Sequence, residues 1–454
     1  MNKNILIIAT LLLLFNIETH GQSTENEKPN IIIFFADDMG YADVGCFGNP
    51  NIRTPNIDKL ADEGIKLTSF YAAAPFCTPS RAALLSGRYP IHTLPGNLGP
   101  GSKNGFPLNE PMISEVLKEA GYRTMAIGKW HLGHANDDIL PTGRGFDNYF
   151  GLPYSNDMIK PWVHTDVPLY MYEDNKPAYV VDHDQDSLTT KYTAKAVNFV
   201  RRNSEKPFFL YMPFAMPHLP ISTTNKFRGT SKGGLYGDVI ATIDWSIGQI
   251  IRTLQNQNKL DNTLILFTSD NGPWLRLPDR MLQRGVERWH QGTTGPLNGS
   301  KGSTYEGGMR VPGIVFWKDQ IPAGQVSSEI ATTIDLFPTL VEAAGAKMPE
   351  NKRLDGYNLL PFLKGESSSP RTGFYYFRSN MLEAVRDGKW KLRYSNHFKT
   401  DVNQNSPVVV ELFDLENDPG EKYNVADRHP DITEKLMNRL KEKAEKVNAV
   451  LYTD

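Results

Sequence analysis

Two short stretches limit what this chain can fold into. Ile31-Ile32-Ile33-Phe34-Phe35 and Leu264-Ile265-Leu266-Phe267-Thr268 are apolar runs rich in β-branched and aromatic residues and too short for a helix. That is the pattern of strands buried on both faces. Each stops at adjacent oxygen-bearing side chains, Asp37-Asp38 after the first and Asp270-Asn271 after the second. In a parallel sheet covered by helices, ligands sit at the carboxyl ends of strands, so the two pairs are candidates for one site. With no cysteine or histidine in either pair, the set suits a hard cation, Ca2+ or Mg2+, rather than zinc. Either pair alone is equally accounted for by Asp capping the next helix or turn. Together, three carboxylates would repel one another without a cation between them.

Further strands are expected at Thr124 to Ile127, Phe208 to Met212 and Gly313 to Trp317. Between them lie helical patterns: Pro55 to Glu63, Ile113 to Ala120, Leu188 to Arg202, Tyr236 to Asn256 and Thr333 to Ala344. Alternation of buried strands and amphipathic helices predicts a doubly wound α/β domain. Gly96 to Pro107 and Asn271 to Gly308 are long loops, which in a compact domain line a site or are disordered. From about Asp355 the texture changes to short strand-like runs, Phe374 to Phe377, Glu383 to Arg386, Trp390 to Tyr394 and Val408 to Phe413, followed by a charged helix over Asp431 to Val450. The expected division is a signal peptide over 1–21, an α/β domain over 22–354 and a C-terminal antiparallel sheet with one helix over 355–454.

The N-terminal assignment rests on Lys3 followed by an apolar run from Ile5 to Phe15, about half the length of a spanning helix. No cysteine follows it to carry a lipid, and no later apolar run reaches membrane-spanning length. The expectation is an exported, periplasmic or secreted protein with no stable membrane anchor. With 49 basic against 51 acidic residues, nothing points to nucleic acid, and recognition of an anion has to be local. The two cysteines, Cys46 and Cys77, are a candidate disulfide in an oxidising compartment.

Cys77-Thr78-Pro79-Ser80-Arg81 leads into the apolar run Ala82 to Leu85, with Pro79 in what reads as the first turn of a helix. A helix N-terminus favours negative charge, and Arg81, one turn on, adds a full positive charge. Taken bare, Cys77 reads as a buried small hydrophobe or half of a disulfide. The whole stretch Cys77 to Arg88, however, closely resembles the sulfatase signature C-x-P-S-R-x-x-x-L/M-x-T/S-G-R. In that family the cysteine is oxidised to Cα-formylglycine, whose hydrated aldehyde is the nucleophile. A disulfide and that modification exclude each other.

The resemblance extends from about Pro29 to about Asn424. It implies an alkaline-phosphatase-like fold and a Ca2+ ion, or Mg2+, held by Asp37, Asp38, Asp270 and Asn271, with the modified residue 77 as a further ligand. Gly128-Lys129-Trp130-His131-Leu132-Gly133 is similar to the family's G-K-W-H-L-G, in which the lysine contacts sulfate and the formylglycine hydroxyl and the histidine assists release of sulfate. Pro217-His218-Leu219-Pro220 resembles P-H-x-P, whose histidine contacts sulfate and protonates the leaving oxygen. Gly299 to Pro312 is nearly G-x-K-G-x-x-Y-E-G-G-x-R-x-P, which makes Lys301 the second sulfate-binding lysine. Gly151-Leu152-Pro153-Tyr154-Ser155 resembles a segment of arylsulfatase A-like members whose serine, here Ser155, reaches sulfate. Arg81 would hold the formylglycine diol.

Such residues make chemical sense together. Sulfate ester hydrolysis builds charge on three non-bridging oxygens and on the leaving oxygen, and a divalent cation with Lys129, Lys301 and His218 supplies preorganised positive charge against it. The resemblance thus implies an exported bacterial carbohydrate sulfatase, acting on a glycosaminoglycan or other sulfated polysaccharide fragment and matured by a formylglycine-generating enzyme. An aryl or steroid sulfatase, a phosphoester or phosphonate hydrolase on the same fold, and an inactive sugar-binding protein are the alternatives. Departures from the family pattern lie in Pro273 to Pro296 and in the C-terminal domain.

Overall fold

The computed structural model describes residues 27–182, 185–202, 205–350, 352–396 and 407–452. The expected signal peptide lies outside them. Among the described residues, no helix is long and apolar enough to cross a membrane.

The first apolar run forms the strand Asn30–Ala36, buried at every position after the first. Its side chains alternate between two cores: Ile32, Phe34 and Ala36 face one side, Ile31, Ile33 and Phe35 the other. The first core is closed by helices Leu188–Arg201 and Gly234–Asn256, the second by Cys77–Ser86, Ile113–Glu119 and Leu336–Ala343. A strand walled on both faces must be apolar on both, which is what the run showed.

Asn30–Ala36 pairs in parallel with Phe208–Pro213 on one side and Thr263–Ser269 on the other. Arg123–Lys129 and Asn148–Leu152 extend the parallel set beyond Phe208–Pro213. The strand Arg310–Phe316 departs from the parallel arrangement: it runs antiparallel to both Thr263–Ser269 and Ile65–Tyr71. The reason lies in the long excursion between them. The chain leaves Thr263–Ser269 at its carboxyl end, loops over that end through residues 270–309, and re-enters from the same side. The result is an eleven-stranded mixed sheet with helices on both faces.

The C-terminal part is a four-stranded antiparallel sheet, Gly373–Arg378, Met381–Asp387, Trp390–Ser395 and Val409–Asp414. The helix Pro430–Val447 packs on it through Leu436, Leu440 and Ala444, one residue per turn on a single face. This small sheet shares a core with Tyr71, Ala83, Tyr89 and Met309 of the large part.

A buried ionic cluster fastens the two parts together. Lys391, fully buried on the strand Trp390–Ser395, donates to Thr304 O at 2.8 Å and to Glu306 Oε1 at 3.0 Å, and lies 2.8 Å from Glu421 Oε1. Glu306 also accepts from the hydroxyls of Tyr71 and Tyr376. Burial pushes the Glu306 carboxyl up, but Lys391, Arg310 and Arg386 outweigh it and bring it down to about 2. Burial lifts Glu421 to about 7 against the pull of Lys391. Replacing Lys391 by Met leaves two buried acids facing each other without the lysine between them, with Arg310 at 3.5 Å from Glu306 left to offset the charge. The expected result is a loss of about 3–5 kcal/mol of stability, read as a lower urea midpoint at unchanged slope.

Candidate active site

Four neighbouring parallel strands deliver their carboxyl ends to one place. Asp37 and Asp38 follow Asn30–Ala36, Asp270 and Asn271 follow Thr263–Ser269, His218 follows Phe208–Pro213, and Lys129 ends Arg123–Lys129. Gly128 lets the last of these in: its φ is 130°, and a Cβ there would fall 1.8 Å from Pro213 O. Beneath them the helix Cys77–Ser86 begins at Cys77 itself, with all ten of its residues buried. Both cysteines are free thiols.

The Cys77 thiol lies 3.4 Å from Asp37 Oδ1, 3.9 Å from Asp38 Oδ1 and 3.6 Å from Lys301 Nζ. Burial pushes its ionisation far above the usual thiol range, against the opposing pull of Lys129 and Lys301. Lys301 arrives on the loop before the short helix Glu306–Met309 and pairs with Asp38 at 2.8 Å. Lys129 pairs with Asp37 at 2.6 Å. Arg81 donates to Asp270 Oδ2 and to Lys129 O, both at 2.7 Å, and lies 3.5 Å from Asp37. Three carboxylates thus meet three cations. Burial raises Asp37, but Lys129 and Arg81 outweigh it and hold the carboxyl well below 3.8. Burial raises Asp38, Lys301 opposes it and the Asp37 charge adds to it, so the net direction is upward. Asp270 rises to about 7, chiefly by burial and then by Asp37.

Asp38 and His131 both hold left-handed backbone, with φ of 65° and 60°. Such residues cost on the order of 1–2 kcal/mol each and persist only where their surroundings dictate them. At Asp38 the dictating contacts are its own N–H to Asp270 Oδ1 at 3.0 Å and the next N–H, of Met39, to Ser269 Oγ at 2.9 Å. Asn271 Nδ2 donates to Asp38 Oδ1 at 2.6 Å, while Asn271 Oδ1 is buried without a partner.

The two histidines are fixed differently. His218 Nδ1 meets Leu219 O at 2.5 Å, which places its proton on Nδ1 and leaves Nε2 facing Asp38 Oδ2 at 3.6 Å. His131 Nε2 meets Leu98 O at 2.9 Å, leaving a buried, unpartnered Nδ1. Burial, and then the neighbouring lysines, depress both imidazoles well below 6.5, so both are neutral at pH 7. Leu98 belongs to the Gly-rich loop over Gly96 to Pro107, tied to the helix start by Thr78 N–H to Asn97 Oδ1 and Leu98 N–H to Thr78 Oγ1. Ser155 is buried near Asp157, whose carboxyl is raised by burial against the pull of Lys129 and Lys301.

A Sulfatase family model matches residues 29–346, and a model for the C-terminal part of N-sulphoglucosamine sulphohydrolase matches residues 300–449. Human arylsulfatase A is 35% identical over 91% of this chain and 86% of its own length. The N-acetylgalactosamine-6-sulfatase of Canis lupus familiaris is 35% identical over 91% and 84%. The chain belongs to the sulfatase family. Among solved structures, that of Ps i-CgsB in complex with k-i-k-neocarrahexaose is 34% identical, with a TM-score of 0.75 and coverage of 92% of this chain and 93% of that one.

The sulfatase is a sulfuric ester hydrolase, and its buried cluster can hold a metal. Ligand atoms of Asp37, Asp38, Cys77 and His218 lie within 4.8 Å of one another. Asn271 Oδ1 adds an uncommitted oxygen, while the oxygens of Asp270 accept from Asp38 N–H and Arg81, much as those of Asp37 and Asp38 accept from Lys129, Lys301 and Asn271. One residue in the sulfatase site escaped sequence reasoning. Trp274 lies with its ring 5.7 Å from that of His218 and 5.0 Å from Lys301 Nζ. Only its place just after Ser269-Asp270-Asn271-Gly272-Pro273 could have marked it. Trp274→Ala removes about 1–2 kcal/mol of cation–π and packing contact at Lys301. The expected outcome is a several-fold rise in KM for an aryl sulfate, with a melting temperature within a few degrees of wild type.

Proposed function

We propose that this sulfatase removes sulfate from a sulfated carbohydrate, with Cα-formylglycine made from Cys77 as nucleophile and with Ca2+ bound beside it. One observation carries the mechanism: the side chain at position 77 opens a buried helix and sits among the carboxylate pair, Lys301 and, through Asp37, Lys129 and Arg81. A thiol kept protonated by burial is a poor nucleophile. The formylglycine hydrate supplies two hydroxyls on one carbon, one to displace the alcohol from sulfur and the other to release sulfate.

Asp37, Asp38, Asp270 and Asn271 would hold the cation through oxygen, with residue 77 as a further ligand. Hard oxygen donors favour Ca2+, or Mg2+, over a softer metal. When bound, the ion would supply Lewis acidity toward the sulfate oxygens. Lys129 and Lys301 bind those oxygens, and Ser155 adds a neutral donor. Arg81, locked between Asp270 and Lys129 O, holds the nucleophile's side of the site. His218, its Nδ1–H committed to Leu219 O, presents Nε2 to the leaving oxygen. A bound sulfate adds the negative charge that favours a proton there. His131, with its proton on Nε2, offers a bare Nδ1 as acceptor when sulfate is released.

The carbohydrate assignment draws on the N-acetylgalactosamine-6-sulfatase relative and on the neocarrahexaose complex of Ps i-CgsB. Arylsulfatase A, equally similar, favours a small aryl sulfate as the second reading. The apolar run Ile5 to Phe15 supports export, with an oxidising maturation enzyme as the protein partner.

Tryptic mass spectrometry of protein from its native host is expected to show residue 77 about 18 Da lighter than cysteine. An unmodified thiol, in a host that carries the maturation enzyme, overturns the mechanism. Cys77→Ala is expected to lose roughly a thousandfold or more in kcat. Chelation is expected to lower the melting temperature and abolish turnover. Ca2+ at a hundred times its Kd should then restore about 2.7 kcal/mol of stability, and no restoration by Ca2+ or Mg2+ would remove the metal from the scheme.

A further inference from the structure

The segment that carries Trp274 also holds Arg276, Arg280, Arg284 and Arg288 against two acids, Asp279 and Glu287. It is well anchored. Leu277, Met281 and Val286 are buried in the same core as Phe34 and Phe267. His290 Nδ1 accepts the Glu287 N–H at 3.0 Å, and Arg288 donates to Leu277 O at 3.0 Å. At the far end Asp43 accepts the Thr293 N–H at 2.7 Å and the Tyr236 hydroxyl at 2.6 Å. Arg288 also pairs with Asp279.

Of the two arginines in this segment without an ion pair or hydrogen bond among the described residues, Arg280 and Arg284, Arg280 is the one that lies against Trp274. It sits in the short turn Asp279–Met281, exposed, just before buried Met281. Its side chain makes no ion pair or hydrogen bond among the described residues, and its guanidinium lies 5.9 Å from the Trp274 ring centre. That indole also meets Lys301 Nζ at 5.0 Å and the His218 ring at 5.7 Å. A single ring therefore bridges the sulfate-binding lysine and an uncommitted arginine at the rim.

We propose that Arg280 is a specificity-determining residue that takes a second oxyanion, sulfate or carboxylate, on the same saccharide. The substrate is then a polyanionic carbohydrate, an inference that rests on the carbohydrate reading above. A guanidinium offers a planar fork matched to an oxyanion, and its contact with the same indole that meets Lys301 holds that fork one ring's width from the sulfate-binding lysine. An aryl sulfate has nothing to place there.

The test compares wild type, Arg280→Ala and Arg280→Lys by steady-state kinetics. The substrates are an aryl sulfate, galactan and glycosaminoglycan oligosaccharides with a single sulfate, and oligosaccharides of the same length with a second sulfate or a uronate. Arg280→Ala is expected to change kcat/KM by less than about twofold on the singly charged substrates. On those with the second anion it should lose about tenfold or more, mainly through KM, with the loss fading at high salt and partly rescued by Lys. Whether the sulfated or the uronate series shows the loss identifies the second group. Equal effects on every substrate, or none on any, overturn the proposal while leaving the carbohydrate reading in place. Turnover of the aryl sulfate and of no saccharide by wild type is a different failure: the carbohydrate reading falls, and the Arg280 subsite with it.

Discussion

Three buried carboxylates, Asp37, Asp38 and Asp270, stand against three buried or nearly buried cations, Arg81, Lys129 and Lys301. Charges taken out of water cost several kcal/mol each unless their partners are held at good geometry. The fold supplies that geometry by bringing strand ends together, since sliding a strand buried on both faces along its neighbours would draw the aspartates at its end into the apolar core. The apolar runs and the charged cluster are therefore one design: the first make the second affordable. Gly128 serves the same end, allowing Lys129 to approach through backbone spacing that no side chain would tolerate.

Much of this was legible in the sequence. Asn30–Ala36 and Thr263–Ser269 stood out because burial on both faces leaves a run without polar interruption. The helix at Cys77 was marked by Pro79 and the apolar residues after it. Ile65–Tyr71 was missed, because Lys66, Thr68 and Ser69 interrupt its apolar pattern and a bulge between Leu67 and Phe70 breaks its register. The antiparallel course of Arg310–Phe316 was also hidden. Periodicity shows that a strand exists, while its direction depends on where the preceding loop crosses.

Within the site, residues that act through charge at strand ends could be located, and those that act through shape could not. The indole of Trp274 meets Lys301 and His218 across gaps in sequence that carry no spacing rule. Lys391 looked like one more charge on a C-terminal strand. Its burial between Glu306 and Glu421 makes it the pin that fixes the loop bearing Lys301 to the smaller sheet. The smaller sheet thus supports the site, although none of its described residues joins the cluster around Cys77.

That pin also sets an order in time. Roughly 300 residues separate Cys77 from Lys391, and Glu421 comes later still. At about 5–20 residues per second, a ribosome delivers the last part of the clamp on the order of tens of seconds after the thiol has emerged. Once folded, the chain shuts all ten residues of the helix Cys77–Ser86 away from any other protein. The modification proposed for Cys77 would therefore require a nascent or unfolded chain, and the late arrival of the C-terminal sheet would keep that interval open.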